Sequence, residues 1–197
     1  MNQATQPSTH NTHFKSILAI LGSASVNSAN EKLLHYLAKT TKDQFQLTVF
    51  DGLKTLPHFD PELSISHPPE PVMHFRNLVE KADGVLICTP EYVFSIPSGL
   101  KNAIEWCVAT TVFANKPTAL LTASAHGQKG HEELQLLMQT LMANFTRETT
   151  LLVSGIKGKI SASGEIGDRQ LVEDLRKLTT ALLDLVTCDH GYVDSNK

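Results

Sequence analysis

The run Ile17-Leu18-Ala19-Ile20-Leu21-Gly22 opens the regular part of the chain and decides its class. Five consecutive apolar residues are too few for a helix, and the glycine that follows ends the run, so the segment reads as a buried strand. Just beyond it, Ser28-Ala29-Asn30-Glu31 has the S-x-x-E spacing of a capping box, and Leu33, Leu34 and Leu37 follow at helical spacing. Strand, loop and capped helix then recur along the chain. Residues 45–50, 84–88, 118–123 and 149–153 read as further strands. Val72, Phe75, Leu78 and Val79 mark one helix, and Leu100, Ile104 and Val108 mark the next, with Pro97 just outside its first turn. Leu134, Leu137, Met138, Leu141 and Met142 form a third helical face, and Leu171, Leu175, Leu178, Leu182 and Leu185 a last one.

Short buried strands alternating with helices predict an α/β protein whose parallel sheet is covered on both faces. Between the second strand and the helix at 72–79 lies a Pro-, His- and Ser-rich stretch, 52–71, expected to be an irregular loop. In such sheets ligands bind beyond the carboxyl ends of the strands, near the point where strand order reverses. The loops to inspect are therefore 22–30, 89–98 and 123–130.

Composition narrows the function. The 197 residues are 41% hydrophobic and 19% charged, as expected of a globular chain. With 17 basic against 20 acidic side chains the net charge is -3, so no basic excess points to nucleic acid. No apolar run approaches the ~20 residues of a membrane span. The three cysteines, Cys88, Cys107 and Cys188, lack metal-site spacing and cannot form a complete disulfide set, which fits a reducing cytoplasm. The first residues have no basic and apolar regions of a signal peptide and read as a polar, disordered tail over 1–14, where His10 and His13 are expected to be solvated. A short tail is likewise expected over 189–197, leaving one domain over 15–188.

The loops exclude several chemistries. Gly22-Ser23-Ala24-Ser25-Val26-Asn27-Ser28-Ala29-Asn30 contains neither G-x-G-x-x-G nor G-K-[ST], so it is no ordinary dinucleotide fingerprint and no P-loop. Its hydroxyls before a helix suit a phosphate monoester as well as simple capping, and the sequence leaves both open. A response regulator would need an aspartate after the third strand, where Thr89-Pro90 stands. There is no G-x-S-x-G elbow, and Cys107 beside Trp106 reads as inert packing. No catalytic side chain and no metal-ligand set is expected. These residues describe a binder of a phosphate-bearing small ligand whose chemistry comes from elsewhere.

The segment Thr89-Pro90-Glu91-Tyr92-Val93-Phe94-Ser95-Ile96-Pro97-Ser98-Gly99-Leu100-Lys101-Asn102-Ala103-Ile104-Glu105-Trp106 resembles the T-P-E-Y-N-x-S-x-P-G-x-L-K-N-A-I-D-W signature of the NADPH-dependent FMN reductase family, flavodoxin-like flavin, quinone, azo and chromate reductases. The first loop resembles the family's G-S-x-R-x-x-S-x-N. Residues 123–130 stand where its Ser/Gly-rich third loop belongs, and Gly164-Glu165-Ile166-Gly167-Asp168 fits the family's ending.

The resemblance covers roughly residues 15–187 and implies a flavodoxin-like three-layer sandwich with strand order 2-1-3-4-5. It implies FMN as cofactor, NADPH or NADH as co-substrate, a small electron acceptor, and a homodimer or homotetramer. Carried over by position, Ser23, Ser28 and Asn30 match residues that hold the FMN phosphate. Pro90, Glu91 and Tyr92 match a segment along the flavin ring and ribityl chain, and Ser124 and Gly127 match the third loop. Ser25, Val93, Phe94 and His126 complete the candidate cofactor-binding set, His126 as the imidazole of the third loop. Lys101, Asn102 and Trp106 match structural positions. Ser25 replaces the family arginine, a change worth about 1.5–3 kcal/mol of phosphate binding if uncompensated. Val93 replaces an asparagine, and Ser98 a glycine that Gly99 follows. The implied activity is hydride transfer from NAD(P)H to bound FMN and on to a flavin, quinone or similar acceptor. The alternatives are a flavodoxin-like electron carrier or a cofactor-free binding module.

Overall fold

A computed structural model describes residues 14–188, and the tails expected over 1–14 and 189–197 lie outside these apart from Phe14, which is exposed. The strands are β1 (Ser16–Leu21), β2 (Gln46–Phe50), β3 (Gly84–Thr89), β4 (Thr118–Ser124) and β5 (Thr150–Ser154). They form one five-stranded sheet in the order β2-β1-β3-β4-β5, parallel at every pairing. The helices are α1 (Ala29–Thr40), α2 (Pro61–Ser66), α3 (Glu70–Lys81), α4 (Ser98–Glu105), α5 (Gln128–Thr140) and α6 (Arg169–Cys188).

Successive strand residues point to opposite faces, and the core divides accordingly. Leu18, Ile20, Val85, Ile87 and Leu120 pack beneath Val72 and Phe75 of α3, Leu100 and Ile104 of α4, and Leu134 and Met138 of α5. Ile17, Ala19, Leu86, Cys88, Ala119 and Leu121 pack beneath Leu33, Leu34 and Leu37 of α1 and Leu171, Leu175, Leu178 and Leu182 of α6, where Val186 rather than the expected Leu185 continues the buried stripe. Every residue of β3, the central strand, is buried, whereas edge strand β2 is only half-covered. This is the three-layer, flavodoxin-like order that the family resemblance implies. The chain leaves β1 toward β2 on one side and reaches β3 on the other, so strand order reverses between β1 and β3, where ligands of such sheets bind.

Three local expectations are corrected. The stretch 52–71 is not simply a loop: it holds a 3-10 turn (Gly52–Thr55) and helix α2. Asp60 caps α2 by accepting from the Glu62 and Leu63 N–H groups, and Pro61 fixes its first turn, so the helix needs no amphipathic stripe. Helix α4 stops at Glu105, so Val108 falls in a following turn and is exposed rather than part of a buried face. Helix α5 ends at Thr140, and Met142 takes a left-handed φ of 57° and points to solvent.

Helix α4 is tied to the 57–59 segment by its own signature residues. Asn102 accepts from the Phe59 N–H at 2.8 Å and donates to the Pro57 carbonyl at 2.9 Å, and the Trp106 indole N–H donates to the same carbonyl at 2.8 Å. Phe59 stands edge-on to Trp106 with ring centres 5.4 Å apart. The Arg76 guanidinium joins this node, donating to the Trp106 carbonyl and to the Ser64 side chain of α2 at 2.8 Å. Asn102 and Trp106 are therefore scaffold residues.

Candidate cofactor cleft

Three loops leave the carboxyl ends of β1, β3 and β4 and enclose, with the segment after β5, a cleft of about 580 Å³. That is an ordinary size for a small-molecule site. The first loop starts at Gly22, whose N–H donates to the Cys88 carbonyl at 2.8 Å. A Cβ on Gly22 would lie 2.5 Å from Thr89 Oγ1, so only glycine lets the first and second loops meet this closely. Ser23 Oγ accepts the Ser25 N–H at 3.3 Å, and Ser28 Oγ caps α1 by accepting the Glu31 N–H at 3.1 Å. The N–H groups of Ala29 and Asn30 lie in the first turn, ahead of any intrahelical acceptor. The Ser25 and Tyr92 hydroxyls are 3.3 Å apart and bridge the first loop to the second.

Seven of the sequence-selected positions line this cleft: Ser23, Ser25, Ser28, Asn30, Pro90, Tyr92 and Ser124. Asn30 does so with its side chain turned inward, 3% exposed, donating to the Ala123 carbonyl at 3.1 Å and accepting from the Cys88 thiol at 3.3 Å. Its amide joins β1–α1 to β3 and β4, which leaves the backbone as its means of touching a ligand.

Glu91, Val93, Phe94, His126 and Gly127 do not line the cleft. The Glu91 carboxylate turns away to the start of α5, accepting the Gly130 N–H at 2.8 Å and the Gly127 N–H at 3.3 Å. An acidic group at a helix start is favourable in itself, and here it also joins the second loop to the third. A Cβ on Gly130 would come 3.2 Å from Glu91 Cβ and 3.3 Å from the Ser95 carbonyl, which explains the glycine. Ser124 Oγ adds a long contact of 3.4 Å to the Glu91 carbonyl. His126 is exposed, and its carbonyl accepts from Ser154 Oγ at 2.7 Å.

Val93 and Phe94 form the tip of a tight turn. Tyr92 and Ser95 exchange both backbone hydrogen bonds, at 2.8 and 3.0 Å, and the two residues between them have φ of 52° and 60°. Two successive positive φ values are those of a type I′ turn, which normally carries Asn-Gly. Glu133 of α5 grips the turn's exit, accepting from Ser95 Oγ at 2.6 Å and the Ile96 N–H at 2.9 Å, with Lys101 Nζ at 3.6 Å. Partial burial works against the ionised Glu133 carboxylate, but these hydrogen bonds and the Lys101 charge outweigh it and hold its pKa below the ordinary carboxylate value.

Sequence reasoning missed the far wall of the cleft. Ile156, Lys157, Ile160 and Ser161, from the 3-10 turn after β5 and its continuation, face the first loop, and Lys32 of α1 reaches across to the Ser161 carbonyl at 3.3 Å. No motif marks these residues; only the sheet order brings them beside loop 1. The 52–71 stretch, with His58, Phe59 and His67, contributes nothing to the lining.

Among the described residues neither buried thiol is an activated nucleophile. Burial drives the Cys88 thiol far above its usual value, and burial, slightly offset by Arg76, raises Cys107 to about 12. Among the described residues no group of histidine, cysteine and carboxylate side chains could hold a metal ion. His131, buried on α5 with Nδ1 2.9 Å from Thr122 Oγ1, has its pKa lowered by that burial and serves the core. What the cleft offers is serine hydroxyls, free first-turn N–H groups, two lysines, and apolar surface from Val26, Ala123, Ile156 and Ile160. That donor set fits a flat, partly apolar ligand with a phosphate at one end.

Comparison with known proteins agrees. The chain is 33% identical over 141 residues to an NADH-dependent flavin reductase subunit of Lactobacillus johnsonii, covering 69% of this chain and 74% of that one. It is 26% identical over 177 residues to a quinone reductase of Escherichia coli K12, covering 86% and 94%. The fold matches that of FerB, a flavoenzyme NAD(P)H:acceptor oxidoreductase from Paracoccus denitrificans, with a TM-score of 0.71 at 24% identity over 88% of this chain and 98% of that one. The model of the NADPH-dependent FMN reductase family matches residues 16–156, and the chain belongs to that family.

Proposed function

We propose that this protein is an NAD(P)H-dependent oxidoreductase that binds FMN in the cleft beyond β1, β3 and β4 and reduces a flavin, quinone or similar small acceptor. The observation that supports this reading is the meeting of the three signature loops around one cleft lined by serine hydroxyls, the first turn of α1 and two lysines. FMN, when bound, supplies the hydride acceptance and release that no residue here could perform.

The chain's own residues bind and orient. Ser23, Ser28 and the first-turn N–H groups of α1 are the donors for the phosphate end, with α1's positive terminus adding to them. Pro90, Tyr92 and Ser124 border the rest of the cleft, and the Ser25–Tyr92 contact fixes the first two loops relative to each other. Glu91 and Glu133 act through position: their carboxylates lock the second loop to α5, so the cleft is built before the ligand arrives. Glu91, Val93, Phe94, His126 and Gly127 remain candidates for contact from the rim rather than the lining. Binding takes place within one domain over 15–188.

No helix of the described residues is long and apolar enough to cross a membrane. A cytoplasmic location is supported by three unpaired cysteines, two of them buried. A homodimer or homotetramer is the assembly proposed from family resemblance. The test is titration of flavin-free protein with FMN, followed by NADPH and NADH oxidation with a quinone. Quenching of flavin fluorescence and acceptor-dependent nicotinamide oxidation are expected; absence of both removes the proposal.

A further inference from the structure

The family arginine of the first loop is Ser25 here, and its hydroxyl is engaged with Tyr92. Loop 1 therefore brings no cation to a ligand that carries close to two negative charges at neutral pH. The charge comes from another part of the cleft. Among the described residues two lysines line it, Lys32 and Lys157, and no carboxylate does. Lys32 follows the Ser28 cap by one turn of α1, so it rises on the same side as the capping hydroxyl. Its Nζ rests 3.3 Å from the Ser161 carbonyl, an uncharged acceptor that a phosphate oxygen would outcompete. Lys157 sits in the 3-10 turn directly after β5, is exposed, and makes no ion pair among the described residues.

From this we infer that Lys32 and Lys157 together replace the missing loop arginine as the cationic partners of a phosphate monoester bound in the cleft, the 5′-phosphate of FMN. The inference rests on the proposed function. It adds that the phosphate charge is met from α1 and the β5 exit rather than from loop 1. Two lysines are point charges, not a bidentate fork, so they compensate by number. The phosphate of FMN and the 2′-phosphate of NADPH share this chemistry, and the experiment separates them.

Flavin-free protein is titrated with FMN and with riboflavin by fluorescence quenching, in wild type, Lys32→Gln, Lys157→Gln and the double variant, with melting temperature as the folding control. Each single change is expected to weaken FMN about threefold to tenfold and the double change about tenfold to a hundredfold, while riboflavin affinity moves less than about twofold. Lys157→Arg retains FMN binding, and the wild-type preference for FMN over riboflavin shrinks as salt is raised. Lys157 is exposed and Lys32 half-buried, and an unchanged melting temperature shows that each variant folds.

FMN binding that is unchanged in the double variant overturns the assignment while leaving the FMN reading intact. Equal weakening of FMN and riboflavin also overturns it, because the lysines would then act on shape and not on charge. A change in the NADPH-to-NADH KM ratio at unchanged FMN affinity assigns the lysines to the nucleotide phosphate instead. Wild type that binds neither flavin removes the cofactor reading and this inference together.

Discussion

Replacing Val93 with asparagine should stabilise the protein. Val93 holds a φ of 52°, in the left-handed region, and Phe94 follows at 60°. An L-residue there costs ~1–2 kcal/mol, and β-branching at Val93 makes the fit worse, whereas asparagine is among the few side chains that visit this region readily. Normally a substitution of this kind would also forfeit burial. Here it does not, because Val93 is 94% exposed and Phe94 76%. The turn's own hydrogen bonds, between Tyr92 and Ser95, are made by the backbone and survive the change. The net gain for Val93→Asn is about 1 kcal/mol, which for a domain of this size raises Tm by about 2–4 °C. Adding Phe94→Gly completes the Asn-Gly pair preferred in type I′ turns, and the gain becomes about 1.5–2 kcal/mol, less than double because glycine loosens the unfolded chain. Urea denaturation with unchanged m-value and a raised midpoint is the confirming assay. A lower Tm for Val93→Asn would refute the reasoning, since it would mean the valine side chain contributes packing that its exposure denies.

Other consequences follow from the same contacts. Glu91→Ala removes the acceptor of the Gly127 and Gly130 N–H groups and should destabilise by about 1.5–3 kcal/mol in thermal unfolding, with weaker FMN binding because loops two and three lose their tie. His131 is buried and its pKa is lowered from 6.5, so the unfolded chain takes up a proton more readily than the native one. Its share of stability is complete above the unfolded value and is lost as pH falls through the native one; His131→Gln should flatten that acid-side slope in urea midpoints measured across pH. Of the three thiols, Cys88 and Cys107 are buried with raised pKa and Cys188 is exposed. Ellman's reagent should therefore titrate one thiol quickly in native protein and all of them in denaturant, and a fast second native thiol would contradict the packing.

Much of this architecture is legible in the chain because the determinants are local. Runs such as Ile17–Leu21 are strands by length and apolarity, and Ser28 announces α1 by its cap. Helix α2 escaped notice because its six residues show no stripe, although Asp60-Pro61 is a start signal by itself. Val108 and Met142 continued apolar spacings past the true helix ends, where spacing says nothing about termination. The left-handed turn at Val93–Phe94 runs against local preference and is held by Glu133, a residue distant in sequence. The site was only half legible for a related reason. Its loops carry a signature, but the direction of Glu91 and the approach of Lys32 and Lys157 depend on how β3, β4 and β5 are ordered, which no single segment encodes.

The central claim is that the cleft holds FMN as a hydride relay. The direct measurement is the visible spectrum of FMN-loaded protein under anaerobic conditions before and after NADPH or NADH is added, followed by a quinone. The flavin band is expected to be bleached by the nicotinamide and to return with the quinone, both faster than with free FMN. A bound flavin band that neither nicotinamide bleaches would contradict it and leave a carrier or a binding module in place of the reductase.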